Sequence, residues 1–317
     1  MRFTIEHRIQ NDLQLIALCD KLQKTEAVVL PAYGALLHEF SFPLSSGLFN
    51  VIDNYAGADD IKKDLRVSHK GPKLSPFVCR IKNGKYHFDN KEYEFQKKFL
   101  DGSAIHGLLV DKAFDIIEEA ATDTSACVIV QRQYHADDAA YPFHFTCTVK
   151  YELSENAFLK VETQVENQSE VSIPVVDGWH PYFTLDGKVN DWEMFFNAPE
   201  MLEFDDELIP TGRLIANKNF LKPEKIGDTF LDNCFVLENK NNEAIATLSN
   251  AANGLRLSLF AIKNYPYLQI YTPPHRNSIA IENLSGAPDC FNNGMGLTVL
   301  EPHKSKRFVM AVQVERV

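Results

Sequence analysis

The chain has 317 residues, 45% hydrophobic and 24% charged, a composition typical of a globular protein with a large core. Its formal net charge of -11 means that the average surface repels nucleic acid and anionic membranes. The N-terminal stretch MRFTIEHRIQNDLQL lacks the apolar segment of a secretory signal, and no run approaches the roughly 18 apolar residues of a membrane span. We therefore expect a cytoplasmic protein whose partners include neither nucleic acid nor a membrane.

Alternation of apolar and polar residues dominates the chain. The stretch DLQLIALCDKLQ near residue 12 has weak helical periodicity, although LQLIAL within it also fits a strand. Next, IKNGKYHF carries Asn83 and Gly84 between alternating residues, which predicts a β-hairpin at that pair. Strands follow at VIVQRQY (128), FTCTVKYEL (145), LKVETQVEN (159), LRLSLFAI (255), YLQIYT (267) and KRFVMAVQVERV (306).

Strands far outnumber helices, and the chain contains no fixed repeat, no low-complexity tract and no linker rich in Gly, Pro or Ser. Residues 1–317 are therefore expected to form a single domain. Long antiparallel chains protect their sheet edges by packing sheets face to face, so we predict an all-β fold, a large antiparallel β-sandwich.

The six cysteines show neither CxxC nor Cys/His ligand spacing, and most occupy strand-like apolar runs where they act as small hydrophobic residues. No glycine-rich phosphate loop is present either. The sequence thus indicates neither a disulfide framework nor a metal site, and it calls for no cofactor.

Histidine side chains in two places are candidates for proton transfer. In VVDGWHPYFTLDG, His180 lies between a tryptophan and a proline, where rigid neighbours would suit an acid or base. In DGSAIHGLL, His106 precedes Gly107, which permits close approach of backbone or ligand. On His180 alone, a packed core histidine bonded to a carbonyl is the more common interpretation.

Three charged side chains lie within or beside strand-like runs. Arg80 precedes the predicted hairpin and offers a fork of donors for hydroxyl groups, or else pairs with a surface acid. Asp232 in TFLDNCFVL lies between apolar flanks just ahead of a strand, and alone it is typical of a turn acid that caps a backbone amide. Glu282 ends the strand NSIAIE and is a candidate base, unless it is the salt-bridge partner of Arg276.

Taken in order, these segments resemble the aldose 1-epimerase family, also called galactose mutarotases. FVCRIKNGKYHF is similar to the family's segment before NGKF, AIHG to its LHGG, and GWHPYFTL to its His-x-Tyr-Phe motif. LDNCFVL is similar to its DH-x-F segment, SIAIENLSGAPDCFN to the strand with its catalytic glutamate, and LTVLEPHKSKRFVMAVQV to its closing strand pair. The matches run from about residue 28 to the C-terminus.

The resemblance implies a β-sandwich with a sugar-binding cleft and assigns roles to matching positions. Glu282 would be the general base and His180 the general acid, while Arg80, His106 and Asp232 would position the sugar. This chain departs from the family pattern at three positions, with Leu108 for the second glycine, Thr184 for the asparagine after Tyr-Phe, and Asn233 for the histidine after Asp.

Interconversion of α and β anomers requires one group to accept the proton of the anomeric hydroxyl and another to protonate the ring oxygen, which a carboxylate and an imidazolium can do. Among the aromatic residues, Trp179 and Tyr182 would offer stacking surface, whereas Phe183 is expected in the core. The function predicted is therefore an isomerase, an aldose 1-epimerase acting on a small-molecule sugar.

Two alternatives stay open at this point. A glycosidase or lyase on a similar sandwich would pair Glu282 with a second carboxylate such as Asp232, and a carbohydrate sensor would bind sugar without catalysis. The sequence also leaves open whether the aldose is anionic, with Lys73 and Arg276 as possible contacts, and whether the protein is a monomer or a homodimer.

Overall fold

The structure is a computed structural model that describes residues 1–45, 47–238 and 243–317. Up to residue 68 the elements are β1 (Phe3–Gln10), β2 (Leu13–Asp20), β3 (Thr25–Leu30), β4 (Leu36–Leu44), β5 (Gly47–Asn50) and α1 (Ala58–Ser68). The middle of the chain adds β6 (Lys73–Leu74), β7 (Arg80–Ile81), a 3₁₀ turn (Lys82–Gly84), β8 (Lys85–Phe88), β9 (Lys91–Glu94), β10 (Ala104–Ile105), β11 (Asp115–Ala121), β12 (Ser125–His135), β13 (His144–Ser154), β14 (Phe158–Asn167), β15 (Ile173–Val175), β16 (Gly178–Trp179) and β17 (Tyr182–Phe183). The C-terminal part adds a 3₁₀ turn (Val189–Asp191), β18 (Glu193–Phe196), β19 (Glu200–Phe204), β20 (Pro210–Ala216), β21 (Glu224–Lys225), β22 (Asp232–Val236), β23 (Ala246–Asn250), β24 (Leu255–Lys263), β25 (Tyr267–Tyr271), β26 (Ile279–Leu284), α2 (Cys290–Asn293), β27 (Thr298–Leu300) and β28 (Ser305–Arg316).

Two large antiparallel sheets dominate this arrangement. One has nine strands in the order β11-β12-β13-β14-β28-β24-β23-β18-β21, and the other follows the path β20-β19-β22-β25-β26-β16-β6, with β17 also paired to β26. A five-stranded meander, β1 to β5, forms the N-terminal sheet. The predicted all-β sandwich is confirmed, and the six strand predictions from residue 128 onward fall on β12, β13, β14, β24, β25 and β28.

The two large sheets bury their apolar faces in a common core. Val149 and Met310 of the nine-stranded sheet belong to the same buried cluster as Ile270 and Ile281 of the eight-stranded sheet. Because strand residues alternate between faces, Ile279 and Ile281 turn inward while Ala280 and Glu282 face the other side of β26. That opposite face carries the candidate active site.

Two local predictions are decided by the structure. The ambiguous stretch near residue 12 forms β2, so its strand interpretation is correct. The hairpin predicted at Asn83 and Gly84 is wrong, because these residues lie in the 3₁₀ turn and β7 pairs with β10. The hairpin instead joins β8 to β9 through Asp89 and Asn90, whose positive φ angles of 49° and 58° suit a tight two-residue turn.

Helix α1 supplies one wall of the site. Its buried side chains, Ile61 and Leu65, are four residues apart on one face, and Asp59 and Asp60 in the first turn favour its N-terminus. The helix ends at His69, which adopts the left-handed conformation with φ 51° and donates its backbone N–H to Leu65 O. No helix in the described ranges is long and apolar enough to cross a membrane.

A buried ion pair supports the strand that leads to His180. Lys73 Nζ lies 2.9 Å from Asp177 Oδ2, both side chains are fully buried, and the Tyr265 hydroxyl donates to the same carboxylate oxygen. Burial raises the pKa of Asp177 against the opposing charge of Lys73. Removal of either side chain would therefore leave the other charge buried without a counter-charge.

Lys73→Met is expected to lower the free energy of unfolding by about 3–5 kcal/mol, because it leaves Asp177 buried without a counter-charge. Adding Asp177→Asn to the same chain should recover much of that loss. Denaturant titration measures both, with Lys62→Met as a control that removes an exposed lysine paired with Asp59. Equal stability of Lys73→Met and the control would contradict the account.

Candidate active site

Strand register brings distant polar side chains to one face of the eight-stranded sheet. Gln269 on β25 is opposite both Glu282 on β26 and Cys234 on β22, and Asp232 lies two residues before Cys234 on the same face. Polar side chains separated by up to 50 residues in the chain therefore become neighbours. Together they line a cleft of about 190 Å³.

His180 reaches the same face through an interrupted strand. Gly178 on β16 pairs with Leu284 and Tyr182 on β17 pairs with Ala280, so the register carried across the gap sets His180 opposite Glu282. His180 Nε2 lies 3.4 Å from Glu282 Oε1, and both side chains are almost fully buried, with 6% and 2% exposed. The structure thus joins the two residues to which the sequence assigned acid and base roles.

Three histidine rings pack in a row along the cleft wall. The ring of His106 lies 4.8 Å from that of His180 and 4.6 Å from that of His69, centroid to centroid. On the other side of His180, the ring of Tyr182 stacks at 5.1 Å and an interplanar angle of 8°. These contacts fix the plane of the His180 imidazole.

The backbone at His106 explains the glycine that follows it. His106 and Gly107 both have positive φ, at 58° and 81°, and a Cβ at Gly107 would lie 2.4 Å from Ser75 O. The His106 backbone N–H donates to Cys79 O at 2.9 Å. The close approach anticipated beside His106 is therefore one of backbone to backbone, and it holds the imidazole in the cleft.

Arg80 and Asp232 complete the predicted set. Arg80 Nε donates to Asp101 Oδ2 at 2.8 Å, and Asp232 Oδ1 accepts a hydrogen bond from Gln269 Nε2 at 2.9 Å. Both side chains line the cleft with His106, His180 and Glu282. The five residues that the sequence singled out converge on one site, although the first and last are 202 positions apart in the chain.

Burial controls the protonation of the acid–base pair. It lowers the pKa of His180 to about 3, with His69 adding to the effect. Burial, reinforced by the negative charge of Asp232, raises the pKa of Glu282 well above its usual range, against the opposing charge of Arg80. Both shifts favour the uncharged forms, a protonated Glu282 and a neutral His180 imidazole, which is opposite to the carboxylate and imidazolium expected from the sequence.

His106, His180 and Glu282 are also the candidate metal ligands in the described part of the chain, since one ligand atom from each lies within 4.8 Å of the others. Two imidazoles and a carboxylate are a donor set that zinc accepts. The chemistry assigned to these residues by the sequence needs only proton transfer, so no metal is invoked for it.

The structure does not bring Trp179 to the cleft. Its side chain is fully buried, its Nε1 donates to Gly71 O at 3.0 Å, and its ring packs edge-on against Phe183. Adjacent strand residues point to opposite faces, so placing His180 in the cleft sends Trp179 into the core. The stacking surface beside the site comes from Tyr182, and Phe183 lies in the core as predicted.

Neither cation considered for an anionic sugar lines the cleft. Lys73 is held in the buried pair with Asp177. Arg276 donates to Asn190 Oδ1 and to the carbonyl oxygens of Thr229 and Gly227, so it ties loops together and is not the partner of Glu282.

Sequence reasoning missed several residues that line the cleft, notably His69, Gln269 and Tyr271. Gln269 and Tyr271 alternate with buried residues on β25, and the pattern alone makes such a face look solvated. His69 follows a short helix that the sequence did not predict. The signal for Gln269 would have been the pairing of β25 with β26, which places this polar residue opposite Glu282.

The fold and the cleft define a class of protein, a β-sandwich with a buried carboxyl–imidazole pair open to a small polar ligand. The chain belongs to the aldose 1-epimerase family, whose sequence profile matches residues 15–313. The family resemblance predicted from the motifs is confirmed, and the protein is an isomerase of the aldose 1-epimerase type.

Individual relatives are similar to this chain in sequence or in fold. The Escherichia coli (strain K12) protein YihR is 28% identical over 261 residues, covering 80% of this chain and 82% of its own length. Human galactose mutarotase is 26% identical over 218 residues, covering 64% and 61%. A galactose mutarotase-like protein from Clostridium acetobutylicum has the same fold, with a TM-score of 0.88 at 19% identity, over 100% of this chain and 99% of that one.

Proposed function

We propose that this protein interconverts the α and β anomers of an aldose, with Glu282 as general base and His180 as general acid. The observation that carries the proposal is the 3.4 Å contact between His180 Nε2 and Glu282 Oε1, two side chains that line the cleft. Two groups this close can bracket the anomeric hydroxyl and the ring oxygen of one sugar, which lie on the same carbon.

The reaction needs two proton transfers and one bond rotation. Glu282 takes the proton of the anomeric hydroxyl while His180 protonates the ring oxygen, so the ring opens to the free aldehyde. Rotation about the bond between the first two carbons presents the other carbonyl face, and the reverse transfers close the ring. Moving a proton from Glu282 to His180 prepares the pair without any proton from solvent, because the two states differ only in its position. Burial disfavours the resulting charges, so the hydrogen bonds of the bound sugar must stabilise them.

In the proposed complex, hydrogen bonds and one cation, Arg80, hold the sugar. Arg80 and Gln269 offer donors, Asp232 accepts, and His106 presents a neutral imidazole, because burial first and then His69 lower its pKa well below the usual value. Such a set suits the hydroxyl groups of an aldose. We assign these residues to positioning, and the proton transfers to Glu282 and His180.

Polarimetry on freshly dissolved aldoses tests the function, and the panel should include galactose, because the human relative is a galactose mutarotase. The protein should speed the approach to anomeric equilibrium above the buffer rate. Aryl glycosides should stay intact, since glycosidase action would instead use Glu282 with Asp232. Sugar binding without faster mutarotation would identify a sensor and overturn the proposal.

The pH profile of kcat/KM should not fall with the ordinary titration of histidine. Adding a second proton to the Glu282–His180 pair would convert His180 to an imidazolium. Burial lowers the pKa of His180 to about 3, so this does not happen near neutral pH. Because that pKa is lowered, the active, singly protonated pair persists as the pH drops below 6.5. We expect kcat/KM to change less than about twofold between about pH 7 and pH 6, and to fall only at higher pH, where Glu282 with its raised pKa gives up the proton of the pair. A half-maximal rate near pH 6.5 would contradict this assignment.

We further infer that residues 1–317 act as one domain in the cytoplasm, as a monomer or a homodimer. One family profile spanning residues 15–313 supports the single domain. Size-exclusion chromatography with light scattering would decide between the two oligomeric states.

A further inference from the structure

A second cavity of about 300 Å³ lies beside the cleft. His69, Phe99 and Ile105 line both cavities, so these three side chains form the wall between them. A substituent that passes this wall would enter the second cavity.

Four cationic side chains line the second cavity. Two of them are already neutralised, since Arg66 donates through both Nε and Nη2 to Asp111 Oδ2 and Lys98 Nζ lies 2.8 Å from Glu94 Oε1. The other two are Lys97 and Lys112. Within residues 1–45, 47–238 and 243–317, the ammonium groups of Lys97 and Lys112 have no ion-pair partner, although the chain carries a net charge of -11.

Two acids share the cavity, and of these Asp137 is the one with an ion-pair partner in the described ranges. Asp137 lies 3.7 Å from Arg132, and Asp138 Oδ1 accepts the backbone N–H of Ala140 at 2.9 Å. Partial burial lowers the pKa of Lys97, and the positive charges of Arg66 and Lys112 add to that effect against the opposing charge of Asp111. A bound anion would relieve this repulsion between neighbouring cations.

The cavity also includes the position where this chain departs from the family's LHGG pattern. Leu108 lines it in place of the second glycine, and the Leu108 N–H donates to Ser75 O at 2.8 Å. A Cβ at the neighbouring Gly107 would lie 2.4 Å from Ser75 O, so the backbone runs close to Ser75 here. The departure therefore changes the wall of the second cavity and leaves the acid–base pair untouched.

We propose that the second cavity binds an oxyanion substituent of the aldose, such as a phosphate, sulfate or sulfonate group carried away from the anomeric carbon, through Lys97 and Lys112. This proposal rests on the proposed mutarotase function and names its substrate class. Lys97 and Lys112 would supply the positive charge for which the sequence suggested Lys73 and Arg276. Lys73 is paired with Asp177, and Arg276 is bonded to Asn190. Each charge-assisted contact should contribute about tenfold or more to recognition.

The kinetic test compares glucose with glucose 6-phosphate at low ionic strength. The unsubstituted enzyme should have at least about tenfold higher kcat/KM for the phosphate, an advantage that falls as salt is added. Lys97→Gln/Lys112→Gln should lose about tenfold to hundredfold on the phosphate and less than about twofold on glucose. Lys98→Gln is the matched control, since it removes a lysine from the same cavity that Glu94 already neutralises. Equal loss in the control and the double variant would overturn the proposal.

Calorimetric titration tests the site without catalysis, using inorganic phosphate, glucose 6-phosphate, and inorganic phosphate in the presence of glucose. Tighter binding of glucose 6-phosphate than of either alternative supports a subsite of the sugar cleft. Equal affinity for all three, or no binding, overturns it. Binding that follows this pattern in a protein that mutarotates no sugar would refute the proposed function and leave the anion site standing. Should the double variant unfold, Lys97→Gln alone replaces it, because that side chain is exposed.

Discussion

Glu282→Gln is expected to lower kcat for mutarotation by about two to four orders of magnitude, the contribution typical of one proton-transfer group. The amide keeps the shape of the carboxyl group but cannot accept the proton of the anomeric hydroxyl. Stability should not suffer, because the carboxyl group is 2% exposed and its Oε2 has no hydrogen-bond partner in the described residues. Replacing a buried ionisable group by a neutral one removes a cost of folding. Polarimetry beside thermal unfolding measures both effects.

Glu39→Gln is the control for this substitution. Glu39 is half-buried, and burial also raises its pKa, but it lies on β4 and does not line the cleft. It should keep full turnover. Loss of turnover in both variants, or in neither, would remove Glu282 from the mechanism.

His180→Asn should lose turnover by a similar factor, about two to four orders of magnitude, because asparagine cannot protonate the ring oxygen. The fold should be kept. His180 Nδ1 is buried without a partner in the described residues, and the bond from Gly71 N–H is to the His180 backbone oxygen, which the substitution leaves in place. If His180 were merely a packed core residue, the substitution would lower the melting temperature while the folded protein stayed active.

His38→Asn provides the matched control, since His38 is equally buried, its pKa is lowered to about 4 by burial, and it does not line the cleft. Ring opening needs both transfers, so combining His180→Asn with Glu282→Gln should cost far less than the product of the single losses. Multiplicative losses would mean that the two residues act in separate steps. Normal turnover in folded His180→Asn would end its assignment as the acid.

The fold was predictable because alternation is strong wherever one face of a strand is buried. Phe145, Val149 and Leu153 alternate with Thr146 and Lys150 along β13, and the structure follows that pattern. Helix α1 was not predictable, because its buried stripe rests on two apolar residues. The hairpin was displaced to Asp89 and Asn90 because β7 pairs with a distant strand, a long-range choice that no local turn signal contains.

The site was predictable where chemistry and chain alternation agree. Glu282 follows the inward-facing Ile281 and precedes the buried Asn283, so alternation along β26 puts its side chain on the other face. Trp179 was assigned to the sugar by proximity to His180, although alternation sends neighbours to opposite faces. His69 reaches the cleft only because a helix ends there with a left-handed residue, and no spacing in the sequence records such a meeting.

The core position of Trp179 also determines what tryptophan fluorescence measures in this protein. Trp179 and Trp192 are the only two tryptophans in the sequence, and both are fully buried. Native emission therefore arises from two buried indoles and shifts to longer wavelength when the sandwich opens. Because neither indole lines the cleft, fluorescence follows unfolding of the Glu282 variant directly, whereas Trp179 adjoins His180 in the chain and the His180 variant needs its own folded baseline.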